Sequence, residues 1–257
     1  MSEEEGISYF NREDYRHALE IFLENLEEAV NSGDRARIAY NANLAGMCLH
    51  FLHNHNEALK YFEMALSNTE GIDNDKVQTN IDEVKRFVER MNRDLEELNE
   101  RIEAEEDKEK KGILLSNRGL VQYLLGNNEL AEQDFRMAER IFRDLNEPIA
   151  LGAIFSNYAL LYDDMRKLDY TYLALDIFVQ EGHIKGQVDA YHTLALYYLH
   201  QNELNEALYF LKKEMELADD IEDVELKRRM YELAADISMD LGNMEDAMKY
   251  TEQASKV

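Results

Sequence analysis

The sequence predicts an all-α fold, a right-handed helical-repeat solenoid of helix-turn-helix repeats with one long helix inserted. Six times a small residue is followed twelve positions later by another small residue, as closely crossing helices require. The 257 residues include one proline and no tryptophan, which favours helix throughout. A heptad pattern occupies the stretch after the second repeat. The small-residue pairs are Gly6/Ala18, Gly46/Ala58, Gly119/Ala131, Ala159/Thr171, Ala195/Ala207 and Ala235/Ala247.

The second repeat shows the pattern most clearly. Gly46 is followed by a turn at 53–56 and by Ala58, and then by Phe62 and Ala65 at four and seven positions after Ala58. Those spacings lie on one helical face, so the second helix packs on the first through this stripe. Later repeats carry Gly or Asn in the turn, where the first helix has to end in a left-handed or capped geometry.

These small residues, turns and aromatic positions resemble the tetratricopeptide repeat family over most of the chain. Equivalent residues such as Ala18 and Ala58 are mostly 40 apart, whereas the family repeat is about 34, so the resemblance is to its long-repeat type. The proline that ends the family's repeats is matched in position by Pro148 alone. Ser2 and Glu5 form a capping box before a short first helix. The later repeats are predicted over 36–68, 113–145, 149–181, 186–218 and 224–255.

Between 75 and 111 the small-residue pairs give way to a heptad seam. Apolar residues alternate at spacings of four and three, which predicts one long helix of about thirty residues. The alternative is a degenerate repeat that turns near Asn92. The seam consists of Val77, Ile81, Val84, Val88, Met91, Leu95, Leu98 and Ile102. The predicted organisation is therefore two repeats in 1–70, the heptad segment in 71–111, and four repeats in 112–257.

A narrow apolar seam has to be covered by something. It either packs on the repeats of its own chain or pairs with a second copy. We predict a homo-oligomer, with self-association through the middle of the seam, at Val84, Val88, Met91, Leu95 and Leu98.

The charge of the chain restricts its partners. Asp and Glu number 54 against 28 Lys and Arg, giving a net charge of -26. Such a field repels phosphate backbones and anionic lipid, so neither nucleic acid nor membrane is expected as a partner. It favours a basic or neutral protein segment. The alternative is that the charges only solvate the outer helix faces.

The compartment is predicted from three features. The start of the chain is acidic, no apolar run reaches the ~20 residues of a membrane span, and Cys48 is the single cysteine. Because one cysteine cannot form a disulfide within the chain, a reducing compartment is expected. We therefore expect a cytoplasmic protein.

Sequence motifs for catalysis are not found. There is no nucleotide-binding glycine loop, G-x-S-x-G or H-E-x-x-H. His50, His53 and His55 form one cluster with the chemistry of metal ligands, but no carboxylate or thiol completes it at a suitable spacing. Cys48 is expected to fill core volume. We predict no catalytic residues, no bound metal and no cofactor.

The family resemblance implies a partner-binding groove. In that family the first helix of each repeat lines a concave groove for a peptide or a partner's helix, and an Asn before the small residue often contacts the bound backbone. An amide offers both a donor and an acceptor to a peptide group. The alternative is that these Asn side chains bond neighbouring helices. The matching residues and their neighbours are Tyr40, Asn43, Asn117, Tyr123, Ser156, Asn157 and His192. Few basic residues lie there, so an acidic C-terminal peptide is not an expected ligand.

The function predicted from these features is a non-catalytic interaction scaffold that binds a protein or peptide. A peptide-responsive regulator is the alternative, and an enzyme using the histidine cluster is a third hypothesis. Four tyrosines fall at helical packing positions and are expected in the core rather than in a binding platform: Tyr170, Tyr172, Tyr197 and Tyr198.

Overall fold

The computed structural model describes residues 2–68, 74–218 and 224–256. These residues form thirteen helices and no strand. The helices are α1 (Glu3–Asn11), α2 (Tyr15–Ser32), α3 (Arg35–Phe51), α4 (His55–Ser67), α5 (Asn74–Ala104), α6 (Lys108–Leu124), α7 (Asn128–Leu145), α8 (Pro148–Leu160), α9 (Met165–Gln180), α10 (Ile184–His200), α11 (Leu204–Ala218), α12 (Val224–Asp240) and α13 (Met244–Ala254).

Twelve of these helices form the six predicted helix-turn-helix pairs, and α5 is the inserted helix. The pairs are α1/α2, α3/α4, α6/α7, α8/α9, α10/α11 and α12/α13. The long helix is confirmed, because α5 runs without a break through Asn92 for 31 residues, about 46 Å at 1.5 Å per residue. It ends seven residues before the expected limit of 111, since Asp107 caps α6 by accepting a hydrogen bond from the Lys110 N–H at 3.0 Å.

Close packing explains the recurring small residues. All twelve members of the small-residue pairs are buried. A methyl group built on Gly46 would lie 2.6 Å from the ring of Phe62, and one on Gly6 would lie 2.8 Å from Phe22. Both rings belong to the second helix of the same repeat, four residues after its small residue. The stripe therefore packs as the spacing predicts.

Most turns between paired helices use a left-handed residue seven positions after the first small residue. Three of these residues are Gly or Asn, as expected, but Glu13 and His53 adopt the same conformation with φ of 60° and 61°. At the second turn the Asn54 N–H donates to the Leu49 carbonyl at 2.8 Å, a bond that closes the helix end. The other three left-handed residues are Gly126, Asn202 and Gly242.

The chain divides into two compact bodies. The N-terminal body comprises 1–105 and 117–131, and the C-terminal body comprises 106–116 and 132–257. The predicted limit at 70/71 lies outside the described residues and that at 111/112 falls within α6, so the three-part division stays a prediction.

Each body has its own apolar core. In the N-terminal body, side chains of α2, α3 and α4 pack with Val77, Ile81 and Val84 of α5. The first half of the heptad seam is therefore covered by the repeats of its own chain. In the C-terminal body a second core joins α10 through α13 and includes Leu199, Leu211 and Met230 among its buried apolar residues.

Candidate partner-binding surfaces

The predicted first-helix residues of the N-terminal body begin with Tyr40 and Asn43 on α3. Tyr40 is 37% exposed. Asn43 is half-buried, and its Oδ1 accepts a hydrogen bond from Asn80 Nδ2 of α5 at 2.9 Å. This amide therefore holds the long helix against the second repeat, which is the role that the alternative interpretation gave to such Asn side chains.

Asn117 and Tyr123 lie farther along, on α6. Asn117 is exposed, and its side chain makes no hydrogen bond within the described part of the chain. Tyr123 is half-buried, and its ring packs edge-on against His53 with the ring centroids 4.6 Å apart. The Asn117 amide is thus not used by the described part of the chain, whereas the Tyr123 ring covers a turn.

In the C-terminal body, Ser156 and Asn157 lie half-buried on α8. The Asn157 Nδ2 donates to Ser116 Oγ of α6 at 3.0 Å. Since Ser116 and Asn157 belong to the first helices of successive repeats, this bond ties one first helix to the next. The donor of Asn157 is thereby used within the chain.

His192 on α10 contacts a carboxylate that the sequence analysis did not single out. Its Nδ1 lies 3.1 Å from Oε1 and 3.2 Å from Oε2 of Glu214, with the hydrogen bond to Oε2. The Glu214 side chain is fully buried. It occupies the second stripe position of α11, where α4 and α7 carry Ala65 and Ala138. A carboxylate in a position that α4, α7 and α13 fill with alanine is the signal that could have identified it.

The histidine cluster lies at the turn between α3 and α4. His50 Nδ1 and His55 Nδ1 are 3.0 Å apart, and His55 Nε2 lies 2.8 Å from the Leu124 carbonyl oxygen. Because a carbonyl oxygen can only accept, His55 donates its Nε2–H to Leu124, and a second hydrogen bond joins His55 Nδ1 to His50 Nδ1. Burial, and then the neighbouring histidines, lower the pKa of His53 to about 4; burial is also the main cause that lowers the pKa of His50. The lowered pKa values favour the neutral form of the packed His50 and His53 rings.

These histidines do not form a metal site in the part of the chain that the structure describes. No three His, Cys, Asp or Glu side chains among the described residues are arranged to hold a metal ion. Cys48 is fully buried, and burial raises the pKa of its thiol to about 12. A reactive thiolate is therefore disfavoured at Cys48.

The residues predicted for self-association are partly used by the chain itself. Val84 belongs to the N-terminal core and Met91 is buried. Val88, Leu95 and Leu98 are half-buried. The part of the seam left for a second copy is limited to these three residues, and self-association stays a prediction.

A second surface, which we call the α9 groove, was not found from the sequence. Tyr170 packs as expected, with its ring stacked 4.9 Å from that of Tyr158, and Tyr197 and Tyr198 are half-buried. The expectation was wrong for Tyr172, which is 42% exposed. Tyr172 lines a groove of about 720 Å³ together with Asp169, Leu173, Leu175, Asp176 and Val179 of α9 and Tyr191 of α10.

None of the described helices combines the length and the apolar character that crossing a bilayer requires.

The sequence matches one known family directly. Residues 229–257, which span α13 and most of α12, match the tetratricopeptide repeat model. No curated protein matches the sequence.

Two solved structures share the fold at low sequence identity. BtubC (BKLC) from P. vanneervenii is 12% identical, with a TM-score of 0.52 over 94% of this chain and 90% of that one. Aspartyl phosphate phosphatase F from Bacillus subtilis is 15% identical, with a TM-score of 0.54 over 96% of this chain. This chain spans 62% of the length of the phosphatase chain. At such identities the likeness concerns the fold.

The predicted fold class, an all-α helical-repeat solenoid with a long heptad helix inserted, is therefore confirmed. The direct match over 229–257 and the shared helical-repeat fold together confirm the resemblance to the tetratricopeptide repeat family.

Proposed function

We propose that this chain is a non-catalytic scaffold that binds a segment of a partner protein on the exposed side of its first helices. The helical-repeat fold supports this proposal, since tetratricopeptide repeats commonly serve protein interaction. The observation that carries it is Asn117, an exposed amide on a first helix with no hydrogen bond to the described part of the chain. Such an amide can donate to and accept from the backbone of a bound segment.

The charge of the chain supports a basic or neutral segment. With a net charge of -26, the surface attracts cations and slows the approach of acidic partners. Exposed Tyr40 adds an aromatic ring with a polar end, a side chain that is common in protein interfaces.

The chemistry of the titratable groups supports a non-catalytic role. The pKa values of His50 and His53 are lowered and both rings pack within the chain, while Cys48 is buried with a raised pKa. The name of the structurally similar phosphatase describes that protein and is not transferred to this chain at 15% identity.

Affinity capture from native lysate at low and high salt tests the scaffold proposal. We expect the wild-type chain to retain a defined partner, and Asn117→Ala to lose most of it. Asn92→Ala is the matched control, since Asn92 is an exposed helical asparagine on α5. Equal capture by both variants would place the binding elsewhere and contradict the proposal for the first helices.

A peptide-responsive regulator is the second candidate, and buried polar groups favour it. Asn25 Nδ2 and Glu214 Oε1 are buried without a hydrogen bond at equivalent stripe positions of α2 and α11. A buried polar atom without a hydrogen bond costs free energy. A conformational change that supplies a hydrogen-bond partner for such an atom is therefore favoured. Small-angle scattering of the chain with a partner-derived peptide tests this: a regulator becomes more compact, whereas a passive scaffold keeps its radius of gyration.

A further inference from the structure

We propose that the α9 groove binds a basic segment of a partner protein, with an arginine side chain of that segment seated between Asp169 and Asp176 against the ring of Tyr172. The inference rests on the proposed function, because it assumes a scaffold for proteins. It adds a second surface and the chemistry of the segment that fits it.

The first step is the unusual exposed face of α9. Asp169, Tyr172, Leu173, Asp176 and Val179 follow one another at spacings that place them on one side of the helix. Tyr172, Leu173 and Val179 are 42%, 49% and 52% exposed. The core-facing side of the same helix is formed by other residues, which are buried: Leu168, Thr171, Ala174 and Phe178. A helix face turned to solvent is normally polar, so this apolar face indicates a contact surface.

The second step is charge. Asp169 has no ion pair or hydrogen-bonded partner within the described residues, and Asp176 accepts only from the neutral Gln180 Nε2, at 3.0 Å. The groove therefore holds two carboxylates that form no ion pair within the described residues.

Three nearby cations are already paired with other carboxylates. Arg166 Nη2 lies 2.7 Å from Asp164 Oδ2, and Lys167 Nζ lies 3.7 Å from Asp163 Oδ1. On α11, the Lys213 Nζ donates to Glu216 Oε2 at 2.7 Å. The cation that best complements the groove is thus one brought by a partner.

The third step is the aromatic side of the groove. Tyr191 packs at 6.4 Å from the ring of Phe210, Tyr198 stacks on the same ring at 5.4 Å, and the hydroxyls of Tyr172 and Tyr198 lie 3.5 Å apart. These contacts fix the rings in place before a ligand arrives. Burial, followed by the Tyr198 hydroxyl, raises the pKa of Tyr172, so its ring stays neutral.

A neutral tyrosine ring between two carboxylates suits a guanidinium group. A cation over a tyrosine face is attracted by the ring quadrupole, and the planar guanidinium can also form paired hydrogen bonds to a carboxylate. The chain itself contains such a contact, with the Arg166 Cζ 4.0 Å from the ring centroid of Tyr162. Leu173 and Val179 would then contact apolar residues that flank the arginine in the partner.

Selection from a phage-displayed library of random 16-residue peptides tests the inference on the full chain. We expect enriched peptides to carry an arginine flanked by apolar residues. Replacing that arginine with citrulline, its neutral analogue, should weaken binding about tenfold or more. The double variant Asp169→Asn, Asp176→Asn should weaken peptide binding to a similar extent. Raised salt should also weaken peptide binding to the wild type.

The matched control is Asp82→Asn on α5. Asp82 is an exposed carboxylate that accepts from Gln78 Nε2 at 2.9 Å, four residues away, as Asp176 does from Gln180. The Asp82→Asn variant should leave the affinity for the enriched peptides unchanged. Circular dichroism should show the same melting curve for all variants, because the changed side chains are exposed and isosteric.

The outcomes separate this inference from the proposed function. Loss of binding in the Asp169/Asp176 variant, with Asn117→Ala unaffected, supports the α9 groove. Loss in Asn117→Ala alone supports the first-helix scaffold and overturns the groove. Enriched peptides without basic residues also overturn it, and a library that yields no binder contradicts both proposals.

Discussion

Gly46 and Phe62 pack so closely that a methyl group on the glycine would lie 2.6 Å from an atom of the ring. We expect Gly46→Ala to lower the free energy of unfolding. Overpacking costs about 1–3 kcal/mol, and the better helix propensity of alanine returns up to about 1 kcal/mol. Urea unfolding measures the difference.

A double-mutant cycle provides the control for this prediction. Phe62→Leu removes the ring, so Gly46→Ala should cost less in that background than in the wild type. The same cost in both backgrounds would show that the ring is not what excludes a side chain at Gly46.

His53 should make stability depend on pH. Its folded pKa is about 4 and its ordinary value is 6.5, so the unfolded state binds more protons between these values. Stability is therefore lost as pH falls from neutral, by roughly 2 kcal/mol at pH 5 as an upper limit. The lowered pKa of His50 acts in the same direction.

His53→Asn isolates this contribution. Asparagine tolerates the left-handed conformation, as Asn202 does at the equivalent turn. We expect the variant to lose less stability than the wild type between pH 7 and pH 5 in thermal melts. Subtracting the pH profile of the variant from that of the wild type cancels the titration of the many acidic groups that both proteins share. Parallel pH profiles would contradict a buried neutral His53.

Gly126 and Gly242 permit a comparison between two left-handed glycines. Their φ values are 80° and 74°, so alanine is strained by about 1–2 kcal/mol at either position. A methyl group at Gly126 would also lie 2.6 Å from the His53 carbonyl oxygen, whereas at Gly242 no atom lies within 4 Å. Gly126→Ala should therefore cost more than Gly242→Ala in urea unfolding. Equal costs would mean that the turns at His53 and Gly126 can separate freely.

The predicted self-association depends on the half-buried end of the seam. We expect sedimentation equilibrium to give about twice the chain mass of 30.1 kDa, and Leu95→Asp with Leu98→Asp to reduce it to one chain. Asn92→Asp adds a charge to an exposed position of the same helix and should leave the mass unchanged. A monomeric mass for the wild type would remove the hypothesis, and circular dichroism shows whether the double variant is folded.

The repeats could be predicted because their determinants are local in sequence. Gly46 and Ala58 are twelve residues apart, and the seam of α5 follows a short period, so neither needs knowledge of distant neighbours. The seam of α5 also indicates where this helix ends, since its last residue is Ile102 and α5 ends at Ala104, before Asp107 caps α6.

The candidate sites were less predictable because they depend on contacts between repeats. Nothing local distinguishes Asn117, whose amide is exposed, from Asn157, whose amide is used by Ser116. Tyr172 was expected in the core because α9 carries apolar residues on two sides, and periodicity alone does not tell which side is covered.

The two small residues at each tight helix crossing, such as Gly46 and Ala58, are only twelve positions apart in the sequence. This short separation also affects how the chain folds. The chain closes a short loop to make such a contact, so little conformational entropy is lost before the first apolar rings meet. We infer that individual helix pairs can act as independent starting points, and that folding is fast for a chain of this length because few early contacts join distant residues.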